Sequence, residues 1–245
     1  MAEQTNPIID KLFSVGAHFG YAKSRRHPST SRYIFGEKGN VEIFDLERTA
    51  ALLESALAFI KDMAAKRQTI LFVGSKAEAR VALERVARRL GQPFVSGRWI
   101  GGTITNWSEI KKRLARLIEL SDLRDKGELA KFTKLERLLI DREIGDLELM
   151  FGGLRGLEKM PAALFVIDPR REITAVTEAR SMNIPVVALM NTDCDAGFVA
   201  HPIPGNDASR QTIEFILDEA GRAFEAGAAI PTPEAAEVKT EAKEN

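Results

Sequence analysis

TILFVGSKAEARVALERVARRLGQPFVSG, residues 69–97, decides the fold. TILFVG (69–74) is a continuous apolar run closed by glycine, the pattern of a strand covered on both faces. KAEARVALERVARRLG (76–91) sets Ala79, Leu83, Val86 and Leu90 on one stripe at helical spacing and stops at Gly91. PFVSG (93–97) reads as a strand again. Strand, helix and strand in succession argue for a parallel sheet flanked by helices.

The same alternation continues on both sides. Upstream, VEIFDL (41–46) reads as a short strand feeding a helix over 47–66 that carries Leu52, Leu53, Ala56, Leu57 and Ile60. Downstream, ALFVIDP (163–169) and PVVALMN (185–191) are buried-type strands separated by EITAVTEARSMN (172–183), and an amphipathic helix follows over 207–226 with Asp207 as its expected N-cap. The expected fold is therefore α/β, a doubly wound parallel sheet of about five strands. It occupies residues 1–104 and 156–228, with a basic N-terminal loop. Residues 105–155 read as an inserted antiparallel helical hairpin. Asn106/Glu109 and Thr133/Glu136 stand at capping-box spacing and DKGE (125–128) supplies the turn. Trp107, Ile110, Leu114 and Leu117 are expected to face Leu135, Leu138, Leu139, Arg142 and Ile144, with the hairpin projecting from the sheet. The small, charged, Pro-containing end, 229–245, reads as a disordered tail.

Composition narrows the function classes. The 245 residues are 44% hydrophobic, too many for wholesale disorder, and no apolar run reaches the roughly 20 residues of a membrane span. The opening MAEQTNPIIDKLFSVG has no basic segment followed by an apolar one, and Cys194 is the one cysteine, so the reading is a cytoplasmic protein in a reducing compartment. The 35 basic and 35 acidic residues cancel but are segregated. Residues 11–38 carry six Lys/Arg against one acid and 66–116 twelve against three, whereas 117–230 carry thirteen against twenty. One basic side is what nucleic-acid binders show. Solvated helix faces are the plainer reading of any single run.

Catalytic and metal motifs are sparse. Gly74-Ser75-Lys76 lies between a strand and a helix, but the first glycine of a P-loop is absent, as is any G-x-G-x-x-G. Lys76 on an RNA phosphate is the functional alternative there, and a plain strand-to-helix turn the simpler one. Cys194 and His201 make no nucleophile pair, because Asp193 and Asp195 would raise the thiol pKa. His18, His27 and His201 lack metal-ligand spacing. Asp193, Asp195 and Asp207, after a strand, are the candidates for holding a cation, against a simpler role as helix caps and turn formers. No cofactor, no resident metal and no small-molecule substrate are expected, and no enzymatic activity.

Two basic, aromatic-laced segments remain. GAHFGYAKSRRHPSTSRYIFG (16–36) interleaves Lys23, Arg25, Arg26 and Arg32 with His18, Phe19, Tyr21, His27, Tyr33 and Phe35. Its glycines, proline and Ser/Thr cluster read as a loop. GRWIGGTITNW (97–107) offers Arg98 and Trp99 before a Gly-Gly turn, with Lys111, Lys112, Arg113 and Arg116 on the helix that follows. Such segments supply the phosphate contacts and stacking faces that folded RNA requires. Core packing is the equal alternative for Phe19, Phe35 and Trp107. Reversing Arg25 and Arg26 together is expected to impair RNA binding without unfolding the chain.

AHFG, IFG followed by a strand and DLE, ILFVGSK, RWIGGTITNW, FGGLRGLEKMPAALFVIDP, IPVVALMNTD and IPGND, in this order over residues 8–225, resemble the universal S-two family of bacterial small-subunit ribosomal proteins. The resemblance implies a flavodoxin-like domain with a projecting hairpin and a non-enzymatic role. That role is binding small-subunit ribosomal RNA between head and body, late in assembly, beside neighbouring proteins that include ribosomal protein S-one, which it helps to anchor. Carried over by motif, His18, Phe19 and Gly20 form an RNA-facing turn, Lys23, Arg25 and Arg26 meet phosphates, and Arg98, Trp99, Gly101, Gly102, Asn106 and Trp107 form the second signature. The chain departs from the family pattern at Gly20-Tyr21, at His27-Pro28 and over Asn191–Ala196.

Overall fold

A computed structural model describes residues 7–230; the expected tail, from 231 on, lies outside the described residues. Helix α1 (Pro7–Ser14) leads into strands β1 (Phe19–Ala22), β2 (Ile34–Lys38) and β3 (Val41–Phe44), which form an antiparallel sheet in the order β1-β3-β2. Two 3-10 turns, Lys23–Arg25 and Pro28–Tyr33, join β1 to β2. Then follow α2 (Leu46–Ala65), β4 (Ile70–Val73), α3 (Ala77–Arg89), β5 (Phe94–Val95), the long pair α4 (Trp107–Asp125) and α5 (Lys134–Phe151), β6 (Ala163–Ile167), α6 (Ile173–Ser181), β7 (Val186–Met190), β8 (His201–Pro204) and α7 (Arg210–Ala228).

The second sheet is all parallel, in the order β5-β4-β6-β7-β8. Chain order reverses between β4 and β6: the chain steps outward from β4 to β5, then returns to continue on the other side. Its central strands are buried at every residue because both faces are covered. Ile70, Phe72, Phe165, Ile167, Val187 and Leu189 point into a core shared with α2, α3 and α7. Leu71, Val73, Leu164, Val166 and Ala188 point into a second core shared with α4, α5 and α6. This is the doubly wound α/β architecture that the periodicity predicts.

Several local expectations need correction. VEIFDL contributes β3 to the antiparallel sheet, and the fifth parallel strand is His201–Pro204. Pro202 and Pro204 disguise it, and an edge strand tolerates them because half of its N–H groups have no ladder partner to lose. Residues 16–36 are not simply a loop, since β1 and the start of β2 lie within them. At the opposite edge of the parallel sheet, Gly153 backs onto the Phe94 carbonyl so closely that an added Cβ would stand 2.2 Å from the oxygen.

Thr133 and Glu136 close the predicted capping box, but Asn106 makes no side-chain cap, and the cap of α7 is Ser209 rather than Asp207. In the hairpin, Ile144, Leu147 and Phe151 of α5 join Ile110, Leu114, Leu117 and Leu120 of α4 in the second core. Leu135, Leu138 and Leu139 are instead 67%, 47% and 53% exposed. The buried face of α5 runs through 140, 144, 147 and 151, where the sheet lies beneath it, and the stretch before Ile140 extends past that support.

Candidate nucleic-acid interface

Every parallel strand delivers its last residues to one end of the sheet, and the basic segments meet there. The antiparallel sheet docks on the loop after β7, around Thr192. The Tyr21 N–H donates to Thr192 Oγ1 (3.1 Å), and the Thr192 carbonyl accepts from the His27 N–H (2.8 Å) and from Thr30 Oγ1 (2.8 Å). Gly20 permits this approach, because a Cβ there would stand 2.6 Å from Thr192 Cγ2 and 3.1 Å from the Glu42 carbonyl. Tyr33, Phe44, Met190, Cys194 and Ala196 form a small apolar cluster behind the contact.

Two of the candidate phosphate contacts serve this docking. Arg25 Nη2 lies 3.0 Å from Asp193 Oδ2, which Arg170 Nη1 also reaches at 2.7 Å, and the Arg25 guanidinium stacks 4.2 Å from the Tyr21 ring centre. Arg26 Nη1 lies 3.0 Å from Oε1 of the buried Glu42. Reversing Arg25 and Arg26 would set like charges against these buried carboxylates, so the double reversal should disturb the docking of the antiparallel sheet as well as the contacts first expected of these arginines. Asp193, considered for a cation, has its Oδ2 occupied by two guanidinium groups, and Asp195 accepts from the Gly197 N–H (2.8 Å).

Lys76 is not available to phosphate. Its ammonium lies 2.7 Å from both Asp168 Oδ2 and Asp207 Oδ2, buried among Asn191, Cys194 and Tyr21. Burial works against the ammonium, but the two carboxylates outweigh it and hold the Lys76 pKa above its ordinary value. Burial pushes the Asp207 carboxyl up to about 6 against the pull of Lys76. Asp168, Cys194 and Asp207 are the one group of potential metal ligands among the described residues, and the lysine ammonium already pairs with both of its carboxylates.

The second signature is ordered by a residue that sequence reading missed. Glu178, on α6, accepts from Trp99 Nε1 (3.1 Å), from the N–H groups of Gly102 (2.8 Å), Ile104 (3.0 Å) and Thr105 (3.2 Å), and from Thr105 Oγ1 (3.2 Å). Burial alone would raise its pKa; the converging donors reverse the sign and hold the carboxyl below its usual range. Gly102 sits at φ +89 within this turn, a conformation that L side chains rarely adopt. Trp99 is therefore buried, while Arg98 beside it is exposed.

The remaining candidates divide by what they already touch. His18 stacks on Phe13 at 4.6 Å and lies 4.0 Å from Phe19; burial, with Lys38 nearby, holds its pKa below the ordinary imidazole value. Phe19 is 46% exposed. Lys23 pairs loosely with Glu37 (3.5 Å) and Arg32 lies 4.8 Å over the Tyr33 ring. Lys112 pairs with Glu109 at 2.6 Å, Lys111 and Asn106 are exposed on α4 and at its start, and Trp107 packs half-buried against the second core.

Three adjoining hollows join the segments. The first is lined by Arg25, Arg26, His27, Arg170, Asp193 and Phe198, the next by Tyr21, Arg25, Arg170 and Arg171, and the last by Arg98, Arg171 and Arg80. Shared arginines make one row from the antiparallel sheet to the turn after β5. Arg170 and Arg171 stood in plain view after ALFVIDP, and their place at a strand's carboxyl end was the signal for them.

The family described as Ribosomal protein S2 matches residues 12–227. The chain is 37% identical over 228 residues to the small ribosomal subunit protein uS2 of Dictyoglomus thermophilum, covering 93% of both chains. It is 42% identical over 199 residues to that of Nocardia farcinica (81% of this chain, 70% of the relative), and 38% identical over 219 residues to that of Sulfurimonas denitrificans (89% and 85%).

Proposed function

Because the chain belongs to the ribosomal protein S2 family, a family of structural proteins of the small ribosomal subunit and not of enzymes, we propose that it binds small-subunit ribosomal RNA along the arginine row at the carboxyl end of its parallel sheet. The row's continuity carries the reading: two segments far apart in sequence converge on one end of the sheet through shared arginines. His18, Phe19, Lys23, Arg32, Arg98, Asn106, Lys111 and Lys112 present their groups outward or partly so, as contact residues would. Gly20, Arg25, Arg26, Trp99 and Trp107 shape and dock the segments that carry them. Affinity comes mainly from phosphate neutralisation, and specificity from the shape of folded RNA.

Placement between head and body, late entry into assembly, work in the cytoplasm and a share in anchoring ribosomal protein S-one belong to the same reading, supported by the family motifs over residues 8–225. In the described residues no helix is long and apolar enough to cross a membrane.

Sedimentation of tagged protein from lysate through a Mg²⁺-containing gradient tests the proposal. Co-migration with the small subunit, abolished by ribonuclease and weakened by Lys23→Glu with Arg32→Glu, is the expected result. A free, monomer-sized peak would overturn it.

A further inference from the structure

We propose that the crevice between the ends of β4 and β6 is a phosphate-binding site, formed by Arg80, Arg98 and Arg171, that takes the phosphate of a nucleotide. The crevice encloses about 650 Å³, within the ~300–1,000 Å³ of small-molecule sites. It lies where strand order reverses, the place at which open α/β sheets bind ligands. Ser75 after β4, Arg98 after β5, and Arg171, Glu172 and Thr174 after β6 converge on it, and Arg80 reaches in from the first turn of α3.

The three guanidinium groups set this hollow apart. Arg25, Arg26 and Arg170 each hold a carboxylate, but among the described residues none of Arg80, Arg98 and Arg171 forms an ion pair. Arg80 donates Nε to the Ser96 carbonyl (3.3 Å) and Arg171 donates Nε to Ser75 Oγ (3.0 Å). Both bonds fix the stem and leave the terminal nitrogens free, the fork that matches a phosphate edge. Glu172 feels the charge of Arg171 but forms no ion pair with any of the three: its buried carboxyl is turned to the Ser75 N–H (2.9 Å) and the Ser75 hydroxyl. Burial raises its pKa against the pull of the Ser75 donors. Helices α3 and α6 both begin at the rim, adding the positive ends of two dipoles. Like charges gathered in one hollow repel, and an oxyanion among them removes that repulsion.

The phosphate has two sources, a nucleotide within an RNA chain or a free one. Only the first depends on the ribosomal reading. The test titrates the isolated full chain, at low salt, with inorganic phosphate, adenosine monophosphate and a short single-stranded oligoribonucleotide. The Trp99 indole N–H and Gly101 amide NMR signals are followed. Shifts of both signals are expected, with affinity falling about tenfold in Arg98→Gln and in Arg171→Gln and partly recovering in Arg171→Lys. Arg98→Gln is the safer variant, since Arg98 makes no bond that orders the loop. A response to the oligoribonucleotide that phosphate competes away assigns the site to RNA, and tighter binding of the monophosphate assigns it to a free nucleotide. Silence to all three probes, or shifts unchanged in both Gln variants, overturns the site. If the parent chain co-migrates with small subunits yet stays silent, the phosphate site fails and the ribosomal reading stands.

Discussion

Glu178 shows how much one side chain can organise. Its carboxylate gathers five donors from a turn 73 to 79 residues earlier in the chain and so fixes the backbone on which Arg98 stands. Glu178→Gln should cost about 3 kcal/mol, because donors are left without acceptors in a buried place, and the loss is read from urea midpoints. The pH dependence follows from the sign of the shift. A carboxyl held below its ordinary value of 4.5 contributes stability that is full above that pH and disappears as pH falls through the lower folded value. The gap between parent and Glu178→Gln should therefore be constant near neutrality and close in acid, with protection of the Trp99 indole from hydrogen exchange lost in parallel. Nothing in EITAVTEARSMN announces this role, since a glutamate on a short helix reads as a solvated charge and its partners are backbone amides. Cys194 is the opposite case. Burial and then the Asp168 and Asp207 charges push its thiol far up, so native protein should resist alkylation at pH 8 and react only when unfolded, as mass spectrometry would record.

Among the elements, the antiparallel sheet is held by close approach and by buried ion pairs rather than by a large core of its own. Gly20→Ala would drive a methyl into Thr192 and should cost about 2 kcal/mol. The expected sign is faster amide exchange across residues 19–44 with the parallel strands still protected; unchanged protection of 19–44 would show that the approach is not tight. The two sheets also differ in how far the sequence reveals them. Strands β4, β6 and β7 are legible because burial on both faces demands unbroken apolar runs. Strands β1 and β2 carry exposed and half-buried residues, and Gly20 and Gly36 interrupt their pattern, so the register comes from tertiary docking. The same limit applies to the interface. Arg98 and the basic content of 16–36 could be read directly, but the pairing of Arg25 with Asp193 spans 168 residues and leaves no local mark.

For the molecule as a whole, a net charge of zero conceals an arginine row at one end of a sheet whose other faces are covered by helices. Affinity for small-subunit RNA should fall steeply with salt. Arg98→Gln should reduce the slope of log affinity against log salt by about 0.7–0.9, the value for one phosphate contact. Lys112→Gln should change it less, because Lys112 already has Glu109 as a partner. The ends of the strand order bear on a different property. At one margin β8 carries Pro202 and Pro204, which have no N–H to offer, and at the other Gly153 lies against the Phe94 carbonyl. Neither margin of the parallel sheet presents a continuous row of free N–H groups, which makes it a poor template for extension by another copy. Chains made in excess should thereby be less prone to edge-to-edge polymerisation through the parallel sheet while they wait for a place in a particle.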